Sequence, residues 1–127
     1  MKTWFLKFAS KETPDDIFNL IVSGQKTIET RSRNPTEGEN DYSNIKVGDK
    51  LLIKSLDSGR ELSKEVVSIH IYDTVSEMIQ NEDVEKILPG VGSKDKMIEN
   101  FEVVKNKWGE KYKFELEHYG IVAINFK

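Results

Sequence analysis

Cysteine is absent from this chain, and that absence removes disulfides, thiolate zinc sites and cysteine nucleophiles together. Histidine is nearly absent too. His70 and His118 are the only two and lie far apart, so a histidine-rich metal site is not expected. A carboxylate-only site would show a spaced acidic loop, and none is present; neither a metal nor a cofactor is expected. No apolar run approaches the roughly 18 residues that span a bilayer. The opening Met-Lys-Thr-Trp-Phe-Leu-Lys-Phe lacks the long apolar core and small-residue cleavage site of a secretory leader. The expectation is a cytoplasmic protein with no membrane partner. Positive charge is also scarce: 19 lysines and arginines stand against 22 aspartates and glutamates, a net charge of −3. A grip on long duplex DNA needs many phosphate contacts. Duplex DNA is therefore not an expected partner, and any nucleic-acid site is local and small.

What is present fits one domain spanning 1–127, with 37% hydrophobic and 32% charged residues. Thr3–Phe8 alternates as a strand, with Trp4, Leu6 and Phe8 on one face and Phe5 and Lys7 on the other. Thr13-Pro14-Asp15-Asp16 reads as a helix start with Thr13 as its cap, Ile17, Leu20 and Ile21 as its stripe and Gly24 as its terminator. Polar residues 32–46 read as a long loop. Asp57-Ser58-Gly59-Arg60 turns a hairpin between a strand at Leu51–Ile53 and a long one from about Glu61 to Tyr72. In that second strand Val67, Ile69 and Ile71 are expected inward, and Ser68, His70 and Tyr72 outward. Thr74-Val75-Ser76-Glu77 is a capping box. A turn from Asp83 to Leu88 ends at Pro89-Gly90, and Ser93 caps a helix whose core stripe is Met97, Phe101, Val104 and Trp108. The lysines at 105, 107, 111 and 113, mixed with glutamates, read as a solvated segment. The unbroken Ile121-Val122-Ala123-Ile124 predicts a closing strand buried on both faces. The order strand, helix, strand, hairpin, helices, strand predicts a small curled sheet or barrel flanked by helices.

One stretch carries more charge than folding requires. Gly24-Gln25-Lys26-Thr27-Ile28-Glu29-Thr30-Arg31 sets Glu29 and Arg31 on one strand face, with Thr27 beside them and Lys26 at the strand's mouth. Such a group is either a site or a structural ion pair of an interaction module. As a site, Arg31 presents a planar donor fork to a phosphate or carbonyl, and Glu29 accepts from a base or ribose edge. Lys26 supplies a point charge, or a base if burial lowers its pKa. Arg33 shares the parity of Arg31 and can meet a phosphate. Tyr72 and Tyr119 are candidate stacking residues, with Tyr119 also suited to a strand-end core. His70 has nothing near it in sequence to orient it.

With these residues in view, the chain resembles an ASCH domain, a member of the PUA-like superfamily. The family's hallmark Gly-x-Lys-x-x-Glu-x-Arg stands complete as Gly24, Lys26, Glu29 and Arg31. The opening Trp4–Phe8, the Val47-Gly48-Asp49 turn and the closing Tyr119–Ile124 agree in order. The resemblance implies an α+β fold, a small PUA-like mixed β-barrel flanked by helices, with the hallmark strand lining a cleft. It implies RNA or a nucleoside-like small molecule, modified nucleosides included, as ligand, with Lys26, Glu29, Arg31, Arg33 and Tyr119 as binding residues. One bacterial branch with a similar fold hydrolyses the acetyl amide of acetylcytidine using a lysine, a threonine and a glutamate. Lys26 matches that lysine and Glu82 is the counterpart of the glutamate, but Glu29 stands where the threonine nucleophile is expected. The alternatives to binding are thus an amidohydrolase of acylated nucleosides, with Lys26, Glu29 and Glu82 as its catalytic set, or a ribonuclease. For the latter no residue pattern speaks.

Overall fold

Strand β1 (Thr3–Phe8) buries Trp4, Leu6 and Phe8 and leaves Phe5 and Lys7 to solvent, as its alternation requires. It runs parallel to β3 (Lys50–Ser55), which pairs antiparallel with β4 (Glu61–Tyr72). Next to β4 lies β5 (Ile121–Phe126), and outside it β2 (Ile28–Ser32), both antiparallel. The computed structural model describes all 127 residues, Met1–Lys127. It is an α+β fold whose mixed sheet has the order β1-β3-β4-β5-β2. The sheet curls into a half-barrel, so β1 and β2 are its two free edges.

Inside the curl lie Leu6, Leu51, Ile53, Val66, Val122, Ile124 and Phe126, closed at one end by Phe18 and Ile21 of α1 (Asp16–Val22). A second core lies on the outer face of β5. There Ile121 and Ala123 meet α2 (Val75–Asn81), α3 (Val84–Ile87), α4 (Lys94–Trp108) and α5 (Glu110–His118) through Met78, Ile79, Ile87, Met97, Phe101 and Leu116. Strand β5 thus belongs to both cores, which is why residues 121–124 are all apolar. Thr74 and Ser93 cap α2 and α4 by accepting from the Glu77 and Lys96 N–H groups, as their sequences predict.

Four expectations are corrected. First, Val67 and Ile71 are exposed: a bulge between Val66 and Ser68 turns Val67 out and puts Val66 in the core, whereas Ile71 keeps the face of Ile69, opposite Val122, but is left uncovered near the end of the strand. Second, Trp108 is 61% exposed although it continues the stripe of Met97 and Phe101. Third, the charged segment after Trp108, given no element from its pattern, folds as helix α5. Last, Thr13 does not cap α1. The Asp16 carboxylate instead gathers the N–H groups of Lys11, Glu12, Thr13 and Ile17 at 2.7–3.1 Å.

Burial raises the Asp16 pKa, but those four donors outweigh it and bring it from 3.8 down to about 2. A carboxyl depressed on folding contributes stability that is fully present above its unfolded pKa, about 3.9, and lost as pH falls toward 2. Asp16→Asn is therefore expected to flatten the acid limb of a denaturation-midpoint-against-pH curve below about pH 4.

Candidate functional site

The charged run folds as a turn and an edge strand. Gly24, at φ +80°, ends α1 by donating to the Ile21 carbonyl, and the Lys26 N–H returns to Leu20 O at 3.0 Å. Thr27 O accepts from Phe126 and Arg33 N–H donates to Gly120 O. The odd residues of β2 therefore pair with β5, while Ile28, Thr30 and Ser32 turn their backbone groups to the free edge. The charges of the run occupy that edge. Lys26 Nζ donates to Ile28 O at 2.7 Å and to Ile87 O of α3 at 2.6 Å, and Glu29 Oε1 accepts from Thr30 N–H at 3.0 Å. An edge strand left bare is a template for unwanted pairing, and here lysine and glutamate cover it.

Lys26 and Glu29 also meet each other at 3.3 Å, with Lys26 4% and Glu29 9% exposed. Glu29 Oε2 takes Arg31 Nε at 3.2 Å and Nη2 at 2.9 Å, a forked pair. Burial pushes the Lys26 pKa down from its ordinary value, opposed by the Glu29 charge. Burial pushes Glu29 up, but Lys26, Arg31 and the Thr30 N–H outweigh it and hold Glu29 below its ordinary value. Three acceptors surround the Lys26 amine, which matches the three donors of an ammonium, so the ion pair is the neutral-pH state. None of those acceptors is a hydroxyl, and Lys26 activates neither Thr27 nor Thr30.

Arg31 then reaches across the open side of the half-barrel. Its Nη2 donates to Lys7 O on the free edge of β1 at 3.2 Å, and its guanidinium lies 5.3 Å from the Phe8 ring and 5.8 Å from the Tyr42 ring. Its side chain keeps 24% exposure, and Nη1 has no partner within the chain. The arginine thus bridges two edge strands while offering donors outward.

Next along the chain, Arg33 stands 3.9 Å from Asp41, with its Nε buried and unpaired. Buried Asp41 also accepts from Asn34 N–H and the Ser43 hydroxyl. Two residues that sequence reasoning missed join from α5. Glu115, 9% exposed, takes the Ser32 hydroxyl at 2.9 Å and the Asn34 amide at 2.8 Å, so α5 is fastened to the end of β2. Tyr112, one turn earlier, is raised to about 12 by burial and by the Glu29 and Glu115 charges, with Arg31 opposing. No spacing rule finds either residue, since both depend on where α5 docks.

Glu82 has other partners. Its carboxylate, almost fully covered, binds His70 Nδ1 at 2.9 Å and the Tyr72 hydroxyl; neither Lys26 nor Glu29 is among its partners. Burial and the Glu82 contact push the Tyr72 pKa up. His70 therefore has the orienting partner that its sequence neighbourhood did not show. Tyr119 packs edge-on against Phe114. Nowhere do three or more His, Asp or Glu side chains converge as a metal ion would require. No helix is long and apolar enough to cross a membrane.

No protein-family model and no curated protein matches the chain. Solved structures match it over nearly its whole length. The hypothetical protein PH0355 is 25% identical, with a TM-score of 0.67 over 98% of both chains. Protein PF0455 from Pyrococcus furiosus is 26% identical, with a TM-score of 0.61 over 98% of this chain and 96% of that one. An ASCH domain from Lactobacillus crispatus JV V101 is 17% identical, with a TM-score of 0.59 over 97% of this chain and 78% of its own. The chain has an ASCH-like fold.

Proposed function

We propose that the opening between the free edges of β1 and β2 binds RNA or a nucleoside-like molecule, with Arg31 as the residue that meets it. The observation carrying this reading is the Arg31 guanidinium. Glu29 and Lys7 O hold one side of it, two aromatic rings lie near it, and its Nη1 is left free at the mouth. A partly exposed planar fork beside aromatic faces suits a phosphate oxygen or a base carbonyl with a ring stacked alongside. Glu29 acts by fixing the fork, and Lys26 acts by neutralising Glu29 and holding the strand edge. That division of labour favours binding over hydrolysis. Lys26 is saturated with acceptors, and Glu82 is committed to His70 and Tyr72.

Titration of nucleosides and short single-stranded RNAs, followed by amide shifts, tests the reading. Arg31→Ala is expected to weaken binding about tenfold or more, the order lost with one charge-assisted hydrogen bond. Arg31→Lys keeps the charge but loses the fork, and should recover only part of it. An absence of binding at millimolar ligand, or binding indifferent to both variants, would refute the proposal.

A further inference from the structure

Trp108 is the largest side chain left in solvent where its helical spacing predicts core. The stripe through Met97 and Phe101 is buried, but α4 runs on past the core, and Trp108 emerges at its last turn, 61% exposed. Gly109, at φ +93°, then breaks the helix and α5 turns back. The Trp108 ring lies 6.3 Å from that of Tyr112. Tyr112 lies one turn before Glu115 on α5, whose carboxylate binds Ser32 and Asn34 at the end of the strand that carries Arg31. Two contacts hold this arrangement against β2 and the loop after it: Glu115 on Ser32 and Asn34, and Lys111 within 3.8 Å of Glu37. The elbow that bears the indole is thus fastened to the end of the strand that carries Arg31.

Along the chain at the elbow, lysine outnumbers glutamate. Residues 102–113 carry four lysines, at 105, 107, 111 and 113, against two glutamates, at 102 and 110. Lys105 is paired with Glu102 and Lys111 with Glu37, while Lys107 and Lys113 form no ion pair. An exposed ring flanked by unpaired lysines is the arrangement that single-stranded nucleic acid meets: a π-face for a base and cations for the backbone beside it.

We infer that the α4–α5 elbow is a second subsite, on which Trp108 stacks a neighbouring base, so that the ligand of the cleft is a short single-stranded RNA rather than a free nucleoside. The inference rests on the binding reading at Arg31 and extends it to a polymer. Tyr112 links the two subsites, and Lys107 and Lys113 take the phosphates that leave the mouth.

The test compares a four-nucleotide RNA with its constituent nucleosides on the intact protein. The tetranucleotide is expected to bind more tightly than any nucleoside and to quench Trp108 emission, which is separable from that of buried Trp4 by the Trp108→Phe variant. Trp108→Ala is expected to lower the ratio of tetranucleotide to nucleoside affinity roughly tenfold, the order lost with one stacked base. Lys107→Ala with Lys113→Ala is expected to flatten the salt dependence, by about 0.7 per lost phosphate contact. Because Trp108 and the two lysines lie at the surface, the variants should keep the wild-type circular dichroism and melting midpoint.

A ratio unmoved by Trp108→Ala, with nucleosides still bound in an Arg31-dependent way, overturns this inference alone. A wild-type protein that binds neither overturns it together with the reading it extends. Loss of a dimer in Trp108→Ala, seen by sedimentation without any change in RNA affinity, would assign the indole to self-association and also overturn it.

Discussion

Gly120→Ala is expected to unfold the protein or to lower its melting midpoint by about 6 °C or more. Gly120 sits at φ +93° just before β5, and a Cβ there would lie 2.2 Å from Tyr72 O and 3.2 Å from Asp73 Cα. Both neighbours are backbone and cannot swing aside. The left-handed conformation alone costs a residue with a side chain about 1–2 kcal/mol, and forcing atoms into a packed site adds about 1–3 kcal/mol. A total of about 2–5 kcal/mol is a large share of the roughly 5–15 kcal/mol that holds a typical domain. At this size each kcal/mol moves the midpoint by roughly 3–5 °C. The clash would also pry apart two strands that matter for the sites. Gly120 O accepts the Arg33 N–H that ends β2, and Tyr72 carries the hydroxyl bound to Glu82. Circular dichroism melts and urea midpoints decide the matter. Gly92→Ala is the control: its φ is also +93°, but its Cβ would meet only the flexible Lys96 side chain at 3.6 Å. That variant should pay the conformational cost without the clash.

Gly120 shows what the sequence can and cannot disclose. A glycine before an apolar run marks a turn, but its contact is with a residue 48 positions earlier (120 − 72). Where side-chain direction follows from local periodicity, as in β1, β5 and the two capped helices, the structure agrees. It departs where a partner element decides. The β4 expectation fails at Val66 and Val67, where one bulge changes which residues of the earlier half of the strand face the core, while Ile69 beyond it packs inward as expected. Trp108 keeps the helical phase of the core stripe, but nothing in a periodicity says how far along a helix the core extends. Helix α5 is invisible because its inward face includes Glu115, a carboxylate satisfied by Ser32 and Asn34 from a different part of the chain. The same limit divides the candidate site. Alternation places Glu29 and Arg31 together, whereas the Lys26 contact with Ile87 and the Glu82 contact with His70 depend on how α2 and α3 dock.

Glu29→Ala is the substitution expected to separate a working buried charge cluster from an ornamental one. The Glu29 carboxylate is 9% exposed and receives donors from Lys26, the Thr30 backbone and Arg31. Removing it leaves the buried Lys26 ammonium without a counter-charge, orphans the Thr30 N–H on the sheet edge and releases the Arg31 fork. Stripping one partner from a buried ion pair costs about 3–5 kcal/mol, whereas an exposed pair is worth about 0–1 kcal/mol. A loss near the upper figure in urea unfolding is expected; a loss below about 1 kcal/mol would show the pair to be a surface contact. Lys26→Met with Glu29→Gln should cost less than the sum of the single changes, because neither variant then strands a charge. The acid limb gives an independent check. The folded Glu29 pKa lies below its unfolded value of about 4.3. Its contribution is thus fully present above that pH and disappears as pH falls through the folded pKa. Glu29→Gln should lose this part of the pH dependence and bind the ligand more weakly at every pH, since the carboxylate that aims Arg31 is gone. Stability lost without any loss of binding would mean that Arg31 is aimed by Lys7 O and the two rings alone.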